Sequence, residues 1–243
     1  MRSILFAAAA TLAFAAHGLT AQAQPQAAGA DLSPVFSVDA TAERIPNLGA
    51  LVTELKQYHD CKCTCGCYAH DLDTQADRAI AFLRRRVARR TPSEKLAVVL
   101  DIDETSLTNY TEMLREGYVF NKPAFDAWVD TASAPAIPGT LRLAKEADRL
   151  GVPVFFITGR ADSERDATER NLRAQGFDWQ QLTLRPASTQ GETVTQYKSG
   201  VRAQIAAQGY RIVLNVGDQW SDLKGAPEAE FSVKYPNPYY LIP

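Results

Sequence analysis

The sequence predicts an α/β fold built on a parallel sheet with helices on both faces. Short apolar segments of strand length recur along the chain, and segments with helical spacing separate them. Strands that are buried on both faces have continuous apolar sequences, and parallel strands need crossover connections, usually helices, between them. Acidic or polar residues follow several of the apolar segments. Parallel sheets bind their ligands at this position, beyond the carboxyl ends of the strands.

The chain begins with a segment that is typical of an export signal. Arg2 supplies a positive charge, residues 4–16 form an apolar run too short to span a bilayer, and Ala21 and Ala23 are small residues before a cleavage site. We expect residues 1–23 to be a signal peptide. We expect the mature protein to be exported to the periplasm or the medium, soluble and without stable membrane insertion. Residues 24–45, rich in Ala, Gln and Pro, are predicted to be a flexible lead-in.

Residues 46–90 have the apolar spacing of helices, interrupted by a cysteine-rich insert at residues 59–70. The insert holds the cysteines of the chain, Cys61, Cys63, Cys65 and Cys67. In an oxidising compartment an even number of cysteines predicts disulfides, although their pairing stays open. The alternative is a soft-metal site, in which thiolates and the flanking His59 and His70 would bind Zn²⁺ or Cu⁺.

Residues 91–243 are predicted to form the α/β core. The predicted strands are residues 96–100, 153–158, 182–185, 211–218 and 231–233. The predicted helices after the first strand are residues 138–150, 162–175 and 197–208, and a glycine follows each of them as a helix-stop signal.

Residues 106–137 do not fit this alternation and are predicted to be an insertion that forms a small cap. They follow the first strand, so the cap would lie over the carboxyl end of the sheet. The insertion contains Tyr110, Tyr118, Phe120, Phe125 and Trp128. These aromatic side chains either form a small core of the insertion itself or contact a substrate.

Acidic residues follow two of the predicted strands. Asp101 and Asp103 come directly after the first, and residues two apart in an extended chain point the same way. Asp218 ends the fourth strand, with Asp222 shortly after it. Four carboxylates gathered at one sheet edge would raise one another's pKa, and a divalent cation removes this conflict. Because ligands that are all oxygen atoms suit Mg²⁺, these four acids are predicted to form a magnesium site.

A hydroxyl and an ammonium group complete a predicted phosphate site. Thr158 ends the second predicted strand, and Lys198 opens the helix before the fourth. With the backbone N–H groups after Asp101, they could bind the oxygens of a phosphoryl group. Asp101 could attack phosphorus to form an aspartyl-phosphate. Asp103 could protonate the leaving oxygen and then activate water.

This ordered set of motifs resembles the haloacid dehalogenase (HAD) superfamily. The segments that are similar to its acid phosphatase branch, subfamily IIIB, are residues 153–177, 195–212, 217–223 and 236–240. The branch contains plant acid phosphatases, vegetative storage proteins and bacterial class B and class C acid phosphatases. The resemblance implies a Rossmann-like HAD fold with a small, mostly helical cap. It also implies that Asp101 is the nucleophile and Asp103 the general acid and base. By the same resemblance, Thr158 and Lys198 bind phosphate, and Asp218 and Asp222 bind the metal.

The function expected from these residues is that of an exported, Mg²⁺-dependent acid phosphatase acting on a small-molecule phosphate monoester. The formal net charge of −2 gives no indication of a nucleic acid polymer as partner. Two other functions stay open. One is a binding or storage protein on the same fold with little turnover, and the other is a metal-handling protein that uses the cysteine-rich insert.

Overall fold

The computed structural model describes residues 45–63 and 66–242. The predicted signal peptide, nearly all of the predicted lead-in and Cys65 lie outside these residues. The helices and strands are α1 (Leu48–Asp60), α2 (Tyr68–Val87), β1 (Lys95–Leu100), α3 (Tyr110–Arg115), α4 (Lys122–Asp130), α5 (Pro138–Arg149), β2 (Val154–Ala161), α6 (Arg165–Ala174), β3 (Gln181–Arg185), α7 (Val194–Ala207), β4 (Tyr210–Gly217), α8 (Trp220–Leu223) and β5 (Phe231–Lys234). Within the described part of the chain, no helix has both the length and the apolar character that a membrane span requires.

The strands form one sheet in the order β3-β2-β1-β4-β5, and each pair of neighbours is parallel. Leu100 of β1 is aligned with Phe156 of β2 on one side and with Val216 of β4 on the other. The chain moves outward from β1 to β3 and then returns to the opposite side for β4. The strand order therefore reverses between β1 and β4, which is where a parallel sheet opens a ligand-binding crevice.

The residues of β1 alternate between two apolar layers. Val98 and Leu100 belong to the larger layer, which α2, α5 and α6 cover, whereas Val99 belongs to a layer covered by α7. Both layers are buried, and each large aliphatic side chain contributes about 1.5–3 kcal/mol when it is removed from water. The predicted α/β fold with helices on both faces is confirmed.

Helix α2 is part of the core that covers the sheet. Its side chains Leu72 and Leu83 are buried in the larger layer, and it packs against α5. Gly139 allows this close approach, because a Cβ atom at this position would lie 2.7 Å from the Cβ of Ala76. Helix α1 contacts α2 and has no buried residue of its own.

The cysteine-rich insert separates α1 from α2, as the spacing predicts. Cys61 and Cys67 form a disulfide with their Cα atoms 5.5 Å apart. The structure therefore supports the disulfide interpretation for this pair. Next to the bridge, the imidazole of His59 stacks on the ring of Tyr110 with 3.3 Å between the ring centroids.

The insertion after β1 forms α3 and α4, and it shares the core of the sheet. Its two ends meet where Ile137 donates a backbone hydrogen bond to Ser106 at 2.9 Å. Tyr110 and Trp128 are buried in the larger apolar layer, whereas Phe120 is 73% exposed. The aromatic residues of the insertion were expected either to form a core or to contact a substrate. Tyr110 and Trp128 are core residues, and the core to which they belong is that of the whole sheet.

Candidate active site

Asp101 follows β1 directly, and its backbone N–H donates to the carbonyl of Val216 in β4 at 3.0 Å. Its carboxylate accepts a hydrogen bond from the ammonium of Lys198 at 2.5 Å. The same ammonium donates to the carboxylate of Asp222 at 2.6 Å. All three side chains are buried. The structure thus brings together three predicted residues from the segment after β1, from α7 and from the segment after β4.

Lys198 lies in the second turn of α7, whereas it was predicted at the start of the helix. The helix begins earlier because Thr193 and Gln196 form a capping box. The N–H of Thr193 donates to the Gln196 side chain at 2.8 Å, and the N–H of Gln196 donates to the Thr193 hydroxyl at 3.2 Å. Val201 and Ile205 of the same helix pack on the sheet, which holds Lys198 at its carboxyl edge.

Asp218 follows β4 and is held by three donors. Its carboxylate accepts hydrogen bonds from the hydroxyl of Thr105 at 3.1 Å, the side-chain amide of Gln219 at 2.7 Å and the side-chain amide of Asn237 at 2.6 Å. Neither Thr105 nor Asn237 was predicted as a site residue. Thr105 belongs to the DxDxT pattern after β1, and this pattern was the signal that could have identified it.

Gly217, the last residue of β4, leaves room for the carboxylate of Asp222. The carboxylate of Asp222 folds back and accepts the backbone N–H of Gln219 at 2.7 Å. A Cβ atom on Gly217 would lie 2.7 Å from the Cγ of Asp222, which is closer than van der Waals contact allows. A residue larger than glycine would therefore displace this carboxylate.

Carboxylate oxygens of Asp101, Asp218 and Asp222 lie within 4.8 Å of one another. We call these three residues the acid cluster. Burial raises the pKa of Asp101 well above its ordinary value, and Asp222, Asp218 and Asp103 add to this, while Lys198 opposes it. Burial and Asp222 also raise the pKa of Asp218. Burial lowers the pKa of Lys198, but Asp101 and Asp222 outweigh it and keep the lysine charged.

The acid cluster fits a divalent cation. Lys198 supplies one positive charge against three carboxylates, and no other basic side chain among the described residues forms an ion pair with them. Buried carboxylates need a partner of opposite charge, and closely spaced oxygen ligands are those that Mg²⁺ and similar hard cations bind.

Asp103 lies apart from the acid cluster, although it was predicted as a fourth metal ligand. Its carboxylate pairs with the guanidinium of Arg160, with an N–O distance of 2.7 Å, and accepts the Asn109 side-chain amide at 2.9 Å. Burial raises the pKa of Asp103, but the charge and hydrogen bonds of Arg160 outweigh this, so the pKa lies below its ordinary value.

Arg160 is a site residue to which no role was assigned from the sequence. It is buried on β2, which continues to Ala161 instead of ending at Thr158. The hydroxyl of Thr158 accepts the backbone N–H of Arg160 at 3.1 Å. The sequence did contain a signal for Arg160. It is a basic residue directly after Thr-Gly on the strand next to β1, and Asp103 needs a positive partner.

Glu104 is buried next to the acids and contacts the C-terminal segment. It adopts a positive φ of 52° and accepts the backbone N–H of Asn109 at 2.6 Å and the hydroxyl of Tyr240 at 3.1 Å. Burial and the nearby Asp103 raise the pKa of Glu104 to about 8. The last residues of the described chain therefore help to enclose the site.

The whole described site falls within one family match. The family described as HAD superfamily, subfamily IIIB (Acid phosphatase), matches residues 20–243. The chain belongs to this acid phosphatase family.

Curated relatives of this acid phosphatase family member include plant proteins. Acid phosphatase 1 of Solanum lycopersicum is 45% identical over 148 residues, which cover 59% of this chain and 58% of that protein. Stem 31 kDa glycoprotein of Glycine max is 39% identical over 149 residues, covering 59% of each chain. Vegetative storage protein 1 of Arabidopsis thaliana is 35% identical over 153 residues, covering 60% of this chain and 55% of that protein. The matched part thus spans less than two thirds of these relatives.

Among solved structures, the class C acid phosphatase from Bacillus anthracis is similar to this acid phosphatase family member in fold. The sequence identity is 24%, the TM-score is 0.63, and the match covers 79% of this chain and 86% of that chain. In the present chain, the carboxyl edge of that fold carries the acid cluster, which includes Asp101, and the Asp103–Arg160 pair. Lys198 and a cation held by the acid cluster could together neutralise the charge of a phosphoryl group.

Proposed function

We propose that the protein is an exported, Mg²⁺-dependent phosphomonoesterase that hydrolyses small-molecule phosphate esters through an aspartyl-phosphate on Asp101. The observation that carries the proposal is the buried acid cluster, joined by Lys198, at the point where the strand order reverses. Membership of an acid phosphatase family supports it. Export rests on the N-terminal sequence, and the substrate class rests on the family.

In the first step, a carboxylate oxygen of Asp101 attacks phosphorus, and the bond between phosphorus and the ester oxygen breaks. The electron pair of that bond leaves with the ester oxygen, which takes a proton from the protonated form of Asp103. Because Arg160 lowers the pKa of Asp103, this form is populated at acid pH. Lys198 and Thr158 bind the phosphoryl oxygens during the transfer. The pairing of Asp103 with Arg160 keeps this carboxyl group in a defined orientation.

In the second step, Asp103 accepts a proton from water while the water oxygen attacks phosphorus. The bond between phosphorus and Asp101 breaks, and inorganic phosphate and the free carboxylate are released. Asp101, Asp218, Asp222 and the backbone carbonyl of Asp103 would hold Mg²⁺. The bound ion supplies positive charge that balances the carboxylates and the phosphoryl group.

A storage protein with little turnover is the second candidate, because relatives named as vegetative storage proteins are 35% identical to this chain. The presence of Asp101, Lys198 and Asp218 in one buried cluster favours catalysis. The same assay of phosphate release decides between the two functions.

Replacement of the nucleophile is the direct test. We expect Asp101→Asn to lower kcat for p-nitrophenyl phosphate by at least about 10³-fold, because an amide cannot form the phosphorylated intermediate. Asp148→Asn, at an exposed position on α5, is the matched control and should keep full activity. Undiminished turnover by Asp101→Asn would exclude the proposed nucleophile, and no turnover by the unaltered protein would favour the storage function.

Metal removal tests the acid cluster. We expect EDTA to abolish phosphate release and added Mg²⁺ to restore it, because the three carboxylates need a cation to stay ionised in one place. Asp218→Asn should raise the Mg²⁺ concentration for half-maximal activity by about 10-fold or more. Calorimetric titration of the protein with Mg²⁺ provides a binding measurement that does not depend on turnover. Full activity in the presence of the chelator would contradict the proposed cofactor.

A further inference from the structure

The cysteine-rich insert brings three sulfur atoms together, away from the acid cluster. The Sγ of Cys63 lies 3.2 Å from the Sγ of Cys61 and 3.4 Å from the Sγ of Cys67. Cys61 and Cys67 are the two residues that the disulfide joins. The three sulfur atoms lie within 4.8 Å of one another. We call these three residues the sulfur cluster.

The sulfur cluster can hold a cation when its sulfur atoms are reduced. A small dithiol gives two electrons and two protons to the Cys61–Cys67 bridge, the S–S bond breaks, and the dithiol closes into a cyclic disulfide. The cysteine thiols that result lose their protons when a metal binds, because the thiolate is the ligand. The bridge and a bound metal therefore exclude each other.

The positions of Cys61 and Cys67 do not depend on the bridge alone. The backbone N–H of Cys61 donates to the carbonyl of Gln57 at 3.1 Å, and the carbonyl of Cys67 accepts the N–H of Asp71 at 2.9 Å. Each cysteine is thus fixed to one end of a helix. The hydroxyl of Tyr58 in α1 donates to the carboxylate of Asp71 in α2 at 2.7 Å, which joins the two helices beside the insert. These contacts would keep the sulfur atoms close together after reduction.

The sulfur cluster is open to solvent on one side only. Cys63 is exposed, Cys61 is partly buried, and Cys67 is 2% exposed. An ion could enter past Cys63, while the buried side keeps water away from the thiolates. Reduced sulfur ligands that are already close together, with an entry path, are what a metal site requires.

The ligand set indicates which cation would bind. Thiolates select soft cations such as Cu⁺ and Zn²⁺, whereas the carboxylates of the acid cluster suit hard ones. Structural Zn²⁺ sites take four protein ligands. The sulfur cluster supplies three, and the ring of His59 is engaged in its stack on Tyr110 and its contact with Asp60. A soft cation of lower coordination number, Cu⁺, fits this set better.

We propose that the reduced insert binds one Cu⁺ ion through the thiolates of Cys61, Cys63 and Cys67, and that formation of the bridge releases the ion. The bridge forms again by exchange with a small-molecule disulfide, which takes two electrons and yields two thiolates, and the copper stays Cu⁺. The site is separate from the acid cluster, so it does not depend on the proposed phosphatase function.

Binding is measured on the full chain in the absence of oxygen. The protein is reduced with a phosphine, separated from it, and titrated with Cu⁺ in competition with a chromogenic Cu⁺ chelator. We expect the reduced protein to bind one Cu⁺ per chain and the bridged protein to bind none. Cys61→Ser combined with Cys67→Ser should weaken binding by about 10²-fold or more, because two ligands are lost.

Two further variants complete the binding test. Cys63→Ser keeps both cysteines of the bridge and should still weaken Cu⁺ binding by about 10-fold or more. Lys62→Gln, at an exposed position between Cys61 and Cys63, keeps every cysteine. It is the matched control and should bind Cu⁺ like the unaltered protein. Equal binding by the reduced and the bridged protein, or by the reduced unaltered protein and the cysteine variants, would overturn the proposal.

A second measurement tests whether the metal and the bridge exclude each other. The reduced protein is treated with oxidised glutathione, with and without one equivalent of Cu⁺, and the remaining thiols are alkylated and counted by mass spectrometry. We expect Cu⁺ to slow the formation of the Cys61–Cys67 bridge by about 10-fold or more, because bound thiolates do not attack the disulfide. A rate that Cu⁺ leaves unchanged would show that these sulfur atoms are not its ligands.

Discussion

At the scale of single residues, the pairing of Asp103 with Arg160 separates two acids that are neighbours in sequence. The guanidinium contacts the carboxylate through both Nε and a terminal nitrogen, at 3.1 Å and 2.7 Å. Such a two-point contact sets the direction of the carboxylate as well as its charge. A terminal nitrogen of Arg160 also donates to the hydroxyl of Thr168 at 3.2 Å, which anchors the guanidinium to α6. Arg160 is therefore a positioning residue for the proposed proton donor.

Replacement of Arg160 should affect esters unequally. We expect Arg160→Gln to lower kcat/KM by about 10²-fold for alkyl phosphates, whose leaving oxygen needs a proton, and by much less for p-nitrophenyl phosphate. Arg160→Lys, which keeps the charge and loses the two-point contact, should give an intermediate loss. The measurement is a series of esters ordered by the pKa of the leaving group. An equal loss for every ester would indicate that Arg160 has only a structural role.

The sequence predicted all three residues of the acid cluster, whereas the carboxylate of Asp103, predicted beside them, pairs with Arg160. Asp101, Asp218 and Asp222 meet because parallel strands end at the same edge, and this follows from the order of the strands alone. The alternation of side chains applies only to extended backbone. Here the carbonyl of Ile102 accepts the N–H groups of Ser106 at 2.7 Å and of the next residue at 2.9 Å, so the chain turns at once.

At the scale of helices and strands, an ion-pair network connects the elements at the end of the sheet opposite the site. Arg86 of α2 pairs with Glu94 before β1 at 2.5 Å and with Glu230 before β5 at 2.7 Å. Arg211 of β4 also contacts Glu230. The network ties α2 to the amino ends of three strands, and it adds to the backbone pairing of these strands and to the apolar packing of α2.

The network predicts how stability depends on acid. Hydrogen bonds from Arg86 and from the backbone of Thr91 lower the pKa of Glu94 to about 2. A carboxylate with a lowered pKa contributes stability above its unfolded value near 4.5, and this contribution is lost as the pH falls towards about 2. We expect Glu94→Gln to lower Tm by a few degrees at pH 7. The difference from the unaltered protein should shrink between pH 4.5 and pH 2.

Thermal unfolding of the two proteins across this pH range is the measurement. Glu54→Gln, at an exposed position on α1, is the matched control and should not change Tm at any pH in the range. The Tm difference between Glu94→Gln and the unaltered protein could instead stay constant down to the lowest pH of the range. That result would show that the charge of Glu94 does not act through its lowered pKa.

The strands along the chain and their parallel direction could be predicted, while their order in the sheet and the ends of two elements could not. Buried strands have continuous apolar sequences, which made β1, β2 and β4 recognisable, whereas β3 and β5 are only partly buried and gave a weaker signal. β2 continues past its apolar part because Ala161 still pairs with Arg185 of β3, a contact between distant segments. The start of α7 depended on a local signal, the Thr193 and Gln196 pair, that apolar spacing alone does not reveal.

At the scale of the whole molecule, the disulfide between Cys61 and Cys67 adjoins the cap and not the acid cluster. It closes a short loop, with six positions of separation, between α1 and α2. The stacked rings of His59 and Tyr110 connect this corner to α3. The cysteine-rich insert therefore contributes to the folded structure and is separate from the chemistry proposed for Asp101.

Removal of the bridge should reduce stability more than activity. We expect Cys61→Ser combined with Cys67→Ser to lower the free energy of unfolding by about 2 kcal/mol, because a short loop gives a modest entropic gain. The value of kcat/KM for p-nitrophenyl phosphate should stay within about 3-fold of the unaltered protein. Chemical denaturation and the phosphatase assay measure the two effects. A loss of activity without a loss of stability would place the insert in the site.

Contacts between distant parts of the chain were the least predictable feature. Glu104 and Tyr240 are separated by 136 positions, and nothing in the local sequence of either residue indicates that they meet. The cap gives a second example, because Trp128 donates to Asn109 at 2.9 Å across the insertion. Such contacts depend on the complete topology, which only the structure provides.

Asn237 and Tyr240 make the site depend on the segment that follows β5. A cut between β5 and Asn237 that released this segment would take the phenol from Glu104 and the amide from Asp218. The sheet, its helices and the disulfide would all remain. A protein cut in this way would keep its strand pairing and lose the support of Asp218, an acid proposed to bind the metal.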